Sequence, residues 1–165
     1  MKKEIRFYTM KLGEILNKNL ICFSELEKKK DNLEVLIQMI EKENLVEDKN
    51  QLRKSIFERE DLMSTGIGLG IAIPHVRIKG VDDIIISILI NKKGVKDYDS
   101  LDGMPVRIII MIVASDEQHR DYLILLSRIV KMLKKDFIRK SMVESITVQE
   151  VIDLISENFD SDPLK

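Results

Sequence analysis

The sequence of 165 residues contains only two histidines, His75 and His119, and His75 closes its most glycine-rich segment. Glycines alternate with apolar residues over positions 66–70, and Pro74 comes directly before the histidine. Alternate glycines permit tight turns, and a proline fixes the backbone that carries the next side chain. Imidazole serves near neutral pH as a base, a nucleophile or a metal ligand. The pattern therefore predicts that His75 is a reactive side chain held in one direction.

Polar side chains that could assist His75 come from other parts of the chain. Arg59 lies near the end of a predicted helix ahead of the glycine segment, and Ser64 and Thr65 begin that segment. His119 falls in the first turn of a later predicted helix, where backbone N–H groups favour anions. A guanidinium, two hydroxyls and a second imidazole suit a group with concentrated negative charge. Taken singly, Arg59 and His119 are better explained as ordinary residues near helix ends.

The spacing of these residues excludes several common chemistries. A P-loop requires Gly-Lys-Ser/Thr after its glycines, whereas Ile71 and Ala72 follow here. A dinucleotide fingerprint needs a preceding strand and a differently spaced third glycine. Two distant histidines and one cysteine lack metal-ligand spacing, and Ser64 lacks the sequence of a nucleophile elbow. Histidine as the nucleophile remains: a neutral imidazole accepts a phosphoryl group on one nitrogen while the other donates a hydrogen bond that fixes its tautomer.

Composition indicates one globular domain with no charge-driven partner. Lys plus Arg (27) nearly balance Asp plus Glu (28), which does not predict binding to nucleic acid or to an anionic membrane. The sequence has no apolar run of the length that a signal peptide or a membrane helix needs. A single cysteine, Cys22, excludes an internal disulfide and fits a reducing compartment. We therefore expect a cytoplasmic protein without direct membrane insertion.

Two apolar runs predict the strands of the core. Residues 84–90 and 105–114 are mostly apolar at both odd and even positions (both parities), which is typical of strands covered on both faces. Such strands need helices on either side of a sheet, so the predicted fold class is α/β. Residues 92–94, Lys-Lys-Gly, predict a turn between the two strands.

Capping signals predict the helices that surround this sheet. Each predicted helix opens at such a signal: Ser24 with Glu27 (residues 24–43), Asp48 (48–60), Ser115 with Gln118 (115–133) and Thr147 with Glu150 (147–158). Lysines 28–30 are expected on the solvated side of the first helix. The third helix follows directly from a core strand, so His119 should lie at the carboxyl edge of the sheet, where open α/β sheets bind ligands.

The segments around His75 resemble the active-site signature of one known family. The resemblance rests on Arg59-Glu60, on residues 64–68 and on residues 70–75, and it extends to residues 95–103 and to the helix that starts near His119. Together these segments are similar to the type-2 IIA components of the phosphoenolpyruvate-dependent sugar phosphotransferase system, the fructose, mannitol and nitrogen-regulatory class. The resemblance covers residues 8–158, leaving residues 1–7 as an N-terminal extension and 159–165 as a C-terminal tail.

The resemblance implies both a fold and a reaction. It implies a single mixed β-sheet flanked by helices on both faces, a phosphotransferase/anion-transport-like fold. His75 would be phosphorylated by the carrier protein phospho-HPr and pass the phosphoryl group to a cysteine of a IIB protein or domain, and ultimately to a sugar entering through a membrane IIC component. Arg59 would steady the phosphate, with Ser64 and Thr65 in its environment, and no metal or other cofactor is implied. The second active-site position falls to His119 or, one helical turn on, to Tyr122.

Two functions fit this resemblance. One is a phosphoryl carrier in sugar uptake. The other is a regulatory module of the nitrogen type, whose phosphorylation state controls its binding to another protein without passing phosphate to a sugar. Both require phosphorylation of His75, and they differ in whether the phosphoryl group has an acceptor.

Overall fold

The computed structural model describes residues 11–159, so the predicted extension (1–7) and residues 160–165 of the predicted tail lie outside the described residues. The first half contains α1 (Leu12–Ile15), a 3-10 turn (Lys18–Leu20), β1 (Ile21–Ser24), α2 (Lys29–Lys42), α3 (Lys49–Leu62), β2 (Gly66–Gly68), β3 (Ile71–Ala72) and β4 (His75–Arg77). The second half contains β5 (Ile85–Val95), β6 (Val106–Ala114), a 3-10 turn (Asp116–Gln118), α4 (His119–Leu133), α5 (Asp136–Glu144) and α6 (Val148–Phe159).

The strands form one mixed sheet. Its order is β1-β5-β6-β3-β2, and β4 also pairs with β6. The central pair β5 and β6 is antiparallel, whereas β1 runs parallel to β5, and β3 and β4 run parallel to β6. Helices cover both faces of this sheet, so the predicted α/β fold with a single mixed sheet is confirmed.

The sheet separates two hydrophobic cores. Successive side chains of a strand point to opposite faces, and β5 and β6 are apolar on both. Ile86 and Ile88 belong to the core beneath α4, α5 and α6, whereas Ile85 and Leu89 belong to the core beneath α2 and α3. This arrangement explains why both parities of these strands had to be apolar.

A break in one strand brings His75 into position. Both β3 and β4 pair with β6, with Ile71 opposite Ile108 and His75 opposite Ile112. Pro74 lies in the gap between them and has no N–H to donate to a ladder. The strand is therefore interrupted just before His75, and β4 resumes with the histidine as its first residue.

The start of α2 differs from the prediction. The helix begins at Lys29, because the Ser24 hydroxyl donates to Asn32 Oδ1 (2.8 Å) and accepts from the Leu26 N–H (3.1 Å), which closes a loop instead of capping a helix. The N–H of Lys29 is bonded by the Asp97 carboxylate at 2.8 Å. The cap thus comes from a distant part of the chain.

Two further segments correct the sequence-based expectations. The predicted turn at residues 92–94 is part of β5, where the register shifts and Asn91 Oδ1 accepts from the Gly94 N–H at 3.0 Å. Gly94 has φ +81°, which explains why glycine suits this irregularity. The sequence analysis also missed α5, a short helix that buries Ile138 and Met142 four residues apart.

The other capping signals are confirmed. Asp48 Oδ1 accepts from the Gln51 N–H at 2.9 Å at the start of α3. The Ser115 N–H donates to Gln118 Oε1 at 2.9 Å ahead of α4. Thr147 and Glu150 bond reciprocally at the start of α6. Local side-chain chemistry therefore sets the starts of α3, of the 3-10 turn ahead of α4, and of α6, in contrast to α2.

Gly66 is the glycine whose replacement we expect to be most damaging. A Cβ there would lie 2.1 Å from the Asp99 carbonyl oxygen and 2.9 Å from Ser100 Cα, both backbone atoms. Gly66→Ala should lower the free energy of unfolding by about 2–3 kcal/mol, because β2 must separate from that segment. The control is Gly103→Ala, where no atom lies within 4 Å but φ is +71°, so only backbone strain of about 1–2 kcal/mol is expected. Urea unfolding measures both, and equal losses would contradict the close-packing argument.

Candidate active site

His75 is held by a backbone hydrogen bond. Its ring is half-buried, and Nδ1 lies 2.6 Å from the carbonyl oxygen of Ile73. A carbonyl only accepts, so Nδ1 carries the proton and donates it. The lone pair of the neutral ring is therefore on Nε2. The strand break at Pro74 provides this carbonyl two residues before the histidine, and the prediction that His75 is held in one direction agrees with this geometry.

The surroundings of His75 favour its neutral form. Burial is the main cause that lowers its pKa below 6.5, and the positive charge of Arg59 lowers it further. The bond to Ile73 and the carboxylate of Glu60 act in the opposite direction but are outweighed. At neutral pH the ring is uncharged, and its Nε2 is available as a nucleophile.

We expect the His75 imidazole to titrate below pH 6.5 in the folded protein. Between the folded-state pKa and pH 6.5, the unfolded chain then binds more protons than the folded one. The contribution of His75 to the free energy of unfolding is therefore fully present above pH 6.5 and is lost as the pH falls through the folded-state pKa. NMR titration of the ring C–H signals measures this pKa. The His119→Gln variant assigns the signals, because His75 is then the only histidine in the sequence. A midpoint at or above 6.5 would contradict the prediction.

Tyr122 packs against His75 from α4. The two ring centroids are 5.8 Å apart and the rings are tilted by 46°. Burial raises the pKa of Tyr122, and the positive charges of Arg77 and Arg59 partly oppose this. Both guanidinium groups are therefore close enough to act electrostatically on the phenol that contacts His75.

His119 lies one helical turn before Tyr122 and has a different partner. Arg77 Nη1 is 2.9 Å from His119 Nδ1, and both side chains are exposed. Arg77 is two residues after His75 on β4, so the two side chains lie on the same face of the strand. The structure thus forms two adjacent pairs between β4 and α4: His75 with Tyr122, and Arg77 with His119. The sequence analysis did not include Arg77 among the candidate site residues.

Arg59 lies in the last turn of α3, half-buried at the approach to His75. Its Nη1 donates to the carbonyl oxygen of Met63 at 2.8 Å. Its charge influences the pKa of His75 and of Tyr122, which places the guanidinium near both rings. The predicted role of Arg59 toward a phosphate stays a prediction.

The hydroxyls of Ser64 and Thr65 have partners within the protein. Ser64 Oγ donates to the Asp99 carbonyl and accepts from the Gly66 N–H. Thr65 is 4% exposed, and its hydroxyl donates to Glu60 and contacts the Tyr98 hydroxyl. These bonds join the start of the glycine segment to Tyr98 and Asp99. The predicted role of the two hydroxyls toward a phosphate stays a prediction.

A buried polar cluster around Glu60, next to the glycine segment, was missed by the sequence analysis. Glu60 is 5% exposed and accepts from the Thr65 N–H (3.3 Å) and the Tyr98 hydroxyl (3.2 Å), while Lys29 Nζ lies 2.8 Å away. Lys29 also lies over the Tyr98 ring, 4.6 Å from its centroid, so it is not a solvated lysine as expected. Burial and the Glu60 carboxylate both raise the pKa of Tyr98. The signal was present: Leu52, Ile56 and Glu60 recur every four residues on the buried face of α3.

The arrangement around His75 suits the transfer of an anionic group to nitrogen. It combines an uncharged imidazole with a defined lone pair, two nearby guanidinium groups and a second imidazole. Among the residues that the structure describes, no cluster of three or more His, Cys, Asp or Glu side chains is placed to bind a metal ion. Within residues 11–159, no helix has both the length and the apolar character needed to cross a membrane.

Solved structures with the same fold define the class. The nitrogen regulatory protein IIA-Ntr from Neisseria meningitidis superposes with a TM-score of 0.80 at 29% identity, covering 87% of this chain and 98% of that one. The mannitol IIA enzyme of Escherichia coli, solved in complex with phosphorylated IIB, superposes with a TM-score of 0.72 at 19% identity, covering 86% of this chain and 97% of that one. The fold is therefore that of IIA components of the phosphotransferase system.

Sequence comparison identifies the family. The family profile described as "Phosphoenolpyruvate-dependent sugar phosphotransferase system, EIIA 2" matches residues 14–158, and the chain belongs to this family. The fructose-specific EIIABC component of Bacillus subtilis is 35% identical over 90% of this chain, which spans only 24% of that longer protein. The nitrogen regulatory protein of Pseudomonas aeruginosa is 31% identical, covering 77% of this chain and 82% of that protein. The predicted family is thus confirmed. The relatives named here include both a sugar-specific component and a nitrogen regulatory protein.

Proposed function

We propose that this protein is a phosphoryl carrier that accepts a phosphoryl group from phospho-HPr on His75 Nε2 and passes it to a cysteine of a IIB partner. The observation that carries the proposal is the bond from His75 Nδ1 to the Ile73 carbonyl, which leaves Nε2 unprotonated. A neutral imidazole with its lone pair in a defined direction is the requirement for attack on phosphorus.

Each transfer conserves atoms and protons within this geometry. The Nε2 lone pair attacks the phosphorus of the donor, the new N–P bond forms, and the donor's P–N bond breaks with its electron pair remaining on the donor nitrogen. The Nδ1 proton stays on the bond to Ile73, so the phosphorylated ring remains protonated and is a good leaving group. In the second transfer a IIB thiolate attacks phosphorus, the S–P bond forms, and the N–P electron pair returns to Nε2.

In this proposal guanidinium and imidazole groups recognise the phosphoryl oxygens. Arg59 lies near the His75 ring and its charge acts on it. His119 or Tyr122 fills the second position, which is supported by the contact of Tyr122 with the His75 ring and by the bond of His119 to Arg77, two residues after His75. Ser64 and Thr65 belong to the phosphate environment through the loop that they build. No metal is needed, because positive side chains balance the charge.

Arg59→Ala should slow phosphorylation more than it destabilises the fold. Loss of one preorganised donor to a developing anion costs about 10²-fold in rate. The guanidinium is only half-buried and bonds one carbonyl, so the melting temperature should change little. Rapid-quench labelling from phospho-HPr measures the rate, and Glu58→Ala on the same helix is the control. An unchanged rate with a lowered melting temperature would make Arg59 structural.

The carrier role is supported by what similar proteins are named for. The Bacillus relative is described as a fructose-specific EIIABC component, and the mannitol IIA enzyme was solved with phosphorylated IIB. The phospho-HPr donor and the indirect link to a membrane IIC component rest on the family resemblance. The proposal also places the protein in the cytoplasm and treats residues 8–158 as one domain, consistent with the match over residues 14–158.

A regulatory role is the second candidate, and it is favoured by the similarity to nitrogen regulatory proteins. The deciding experiment loads the protein with labelled phosphate from phospho-HPr and then adds a purified fructose-type or mannitol-type IIB protein. Rapid loss of label from His75 to the IIB cysteine supports the carrier role. Label that stays on His75 with every IIB protein, while a mannitol IIA control loses its label, supports the regulatory role. A wild-type protein that never takes label would contradict both.

A further inference from the structure

The contact between Arg77 and His119 selects one tautomer of the neutral histidine. Arg77 Nη1 lies 2.9 Å from His119 Nδ1. A guanidinium has five N–H donors and no acceptor, so it can only donate in this bond. Nδ1 of His119 therefore carries the lone pair, and the proton of the neutral ring is on Nε2. The exposed end of His119 is thus a hydrogen-bond donor.

The pair formed by Arg77 and His119 lies next to the phosphorylation site proposed at His75. His75 and Arg77 are two residues apart on β4, and His119 and Tyr122 are three residues apart on α4. Side chains at these spacings are neighbours about 5–7 Å apart on one face of a strand or helix. Because Tyr122 contacts the His75 ring, the pair formed by Arg77 and His119 lies directly beside it.

The electrostatic effects agree with this placement. The charge of Arg77 lowers the pKa of Tyr122, as does the charge of Arg59. The phenol that packs on His75 thus lies within range of one guanidinium from α3 and another from β4. Arg59 has its own backbone partner at Met63, whereas Arg77 is directed to the His119 ring.

We propose that Arg77 is a positioning residue that holds His119 as an Nε2–H donor to the phosphoryl group on His75. This inference rests on the proposed function and deepens it, because it assigns the second active-site position to His119 and names the residue that orients it. Tyr122 then supports the His75 ring by packing. Without Arg77, the exposed His119 side chain would sample several rotamers and both tautomers, and fewer molecules would present the donor when phosphate arrives.

The first test observes the His119 ring directly. Nitrogen-15 NMR of the unphosphorylated protein at alkaline pH should show His119 with an unprotonated Nδ1 and a protonated Nε2. In Arg77→Ala the two nitrogen signals should move towards the averaged values of a free imidazole. Arg107→Ala, which removes an exposed arginine from the neighbouring strand β6, should leave them unchanged. Identical His119 signals in the wild-type protein and in Arg77→Ala would overturn the inference.

The second test is a double-mutant cycle on the rate of phosphorylation by phospho-HPr. We expect Arg77→Ala and His119→Ala each to slow labelling of His75 about 10-fold, and the double variant to be no slower than either. Arg77→Lys, which keeps a cationic donor, should recover part of the rate. Additive losses in the double variant would mean that Arg77 acts on the phosphate by itself, and the positioning role would be overturned.

The two proposals fail in distinguishable ways. If the wild-type protein takes no label, the proposed function fails, whatever the His119 spectrum shows. If the wild-type protein is labelled and Arg77→Ala is labelled at the same rate, the proposed function stands and the role of Arg77 is overturned. Saturation with phospho-HPr separates the effects further, because a positioning residue lowers the maximal rate, whereas a docking residue raises the donor concentration needed.

Discussion

His75→Gln should abolish phosphate uptake from phospho-HPr, with a loss of about 10³-fold or more, down to the limit of detection. The reason is specific to the atom: Nε2 provides the lone pair that bonds phosphorus, and the amide nitrogen of glutamine has no nucleophilic lone pair. Arg59 and the pair of Arg77 and His119 would remain in place but would have no acceptor to assist. Acid-labile label, followed by gel or by mass, is the measurement.

The control for this result separates chemistry from folding. His75 is only half-buried and belongs to neither hydrophobic core, so the variant should retain its circular dichroism spectrum and unfold cooperatively. His119→Gln should be slowed and not abolished, because it removes an assisting group. If His75→Gln were labelled at the wild-type rate, the acceptor would be another residue, and the proposed function would be wrong.

Glu60→Ala should lower the free energy of unfolding by about 2–4 kcal/mol, because it removes one partner of a buried ion pair and leaves polar groups without a bond. Those groups are the Lys29 ammonium, the Tyr98 hydroxyl, and the N–H and hydroxyl of Thr65. The Glu60 side chain is only 2% exposed, so water cannot easily replace it. Urea unfolding followed by circular dichroism measures the loss.

A matched control lies two residues away on the same helix. Glu58 pairs with Lys54 at 3.7 Å, but both side chains are mostly exposed, so Glu58→Ala should change stability by less than about 0.5 kcal/mol. Glu60→Gln keeps an accepting oxygen and should fall between the two. The Glu60 carboxylate also raises the pKa of His75, so Glu60→Ala should lower the pKa of His75 further. Equal stability of Glu60→Ala and Glu58→Ala would contradict the account of the cluster.

The parts of the fold that could be predicted are those set by neighbouring residues. The strands β5 and β6 are apolar on both parities, which indicated a sheet covered on both faces. The helix starts at Asp48, Ser115 and Thr147 follow from side chains within four residues of the bonded N–H. The start of α2 could not be predicted in this way, because Asp97 caps it from 68 residues away.

The candidate site likewise contains residues that nearby sequence indicates and contacts that only the packed fold determines. His75 could be singled out from the glycines and the proline close to it in sequence, whereas Arg59, taken singly, was better explained as a helix-end residue and gained a site role only through the family resemblance. The contacts of Tyr122 and His119 depend on how α4 lies against β4, which no local pattern encodes. Glu60 shows a third case, since its spacing with Leu52 and Ile56 indicated burial, but a carboxylate on an apolar stripe identifies no partner until Lys29 and Tyr98 are placed beside it.

The gap between β3 and β4 bears on how this protein can evolve. The group that selects the reactive nitrogen of His75 is a main-chain carbonyl, which every amino acid at position 73 would supply. Substitutions among the surrounding side chains can therefore alter the rate of reaction, the choice of partner or the regulation, while the Ile73 carbonyl still leaves Nε2 of His75 unprotonated. Related proteins could in this way differ between a role in sugar uptake and a role in regulation while keeping the same unprotonated nitrogen.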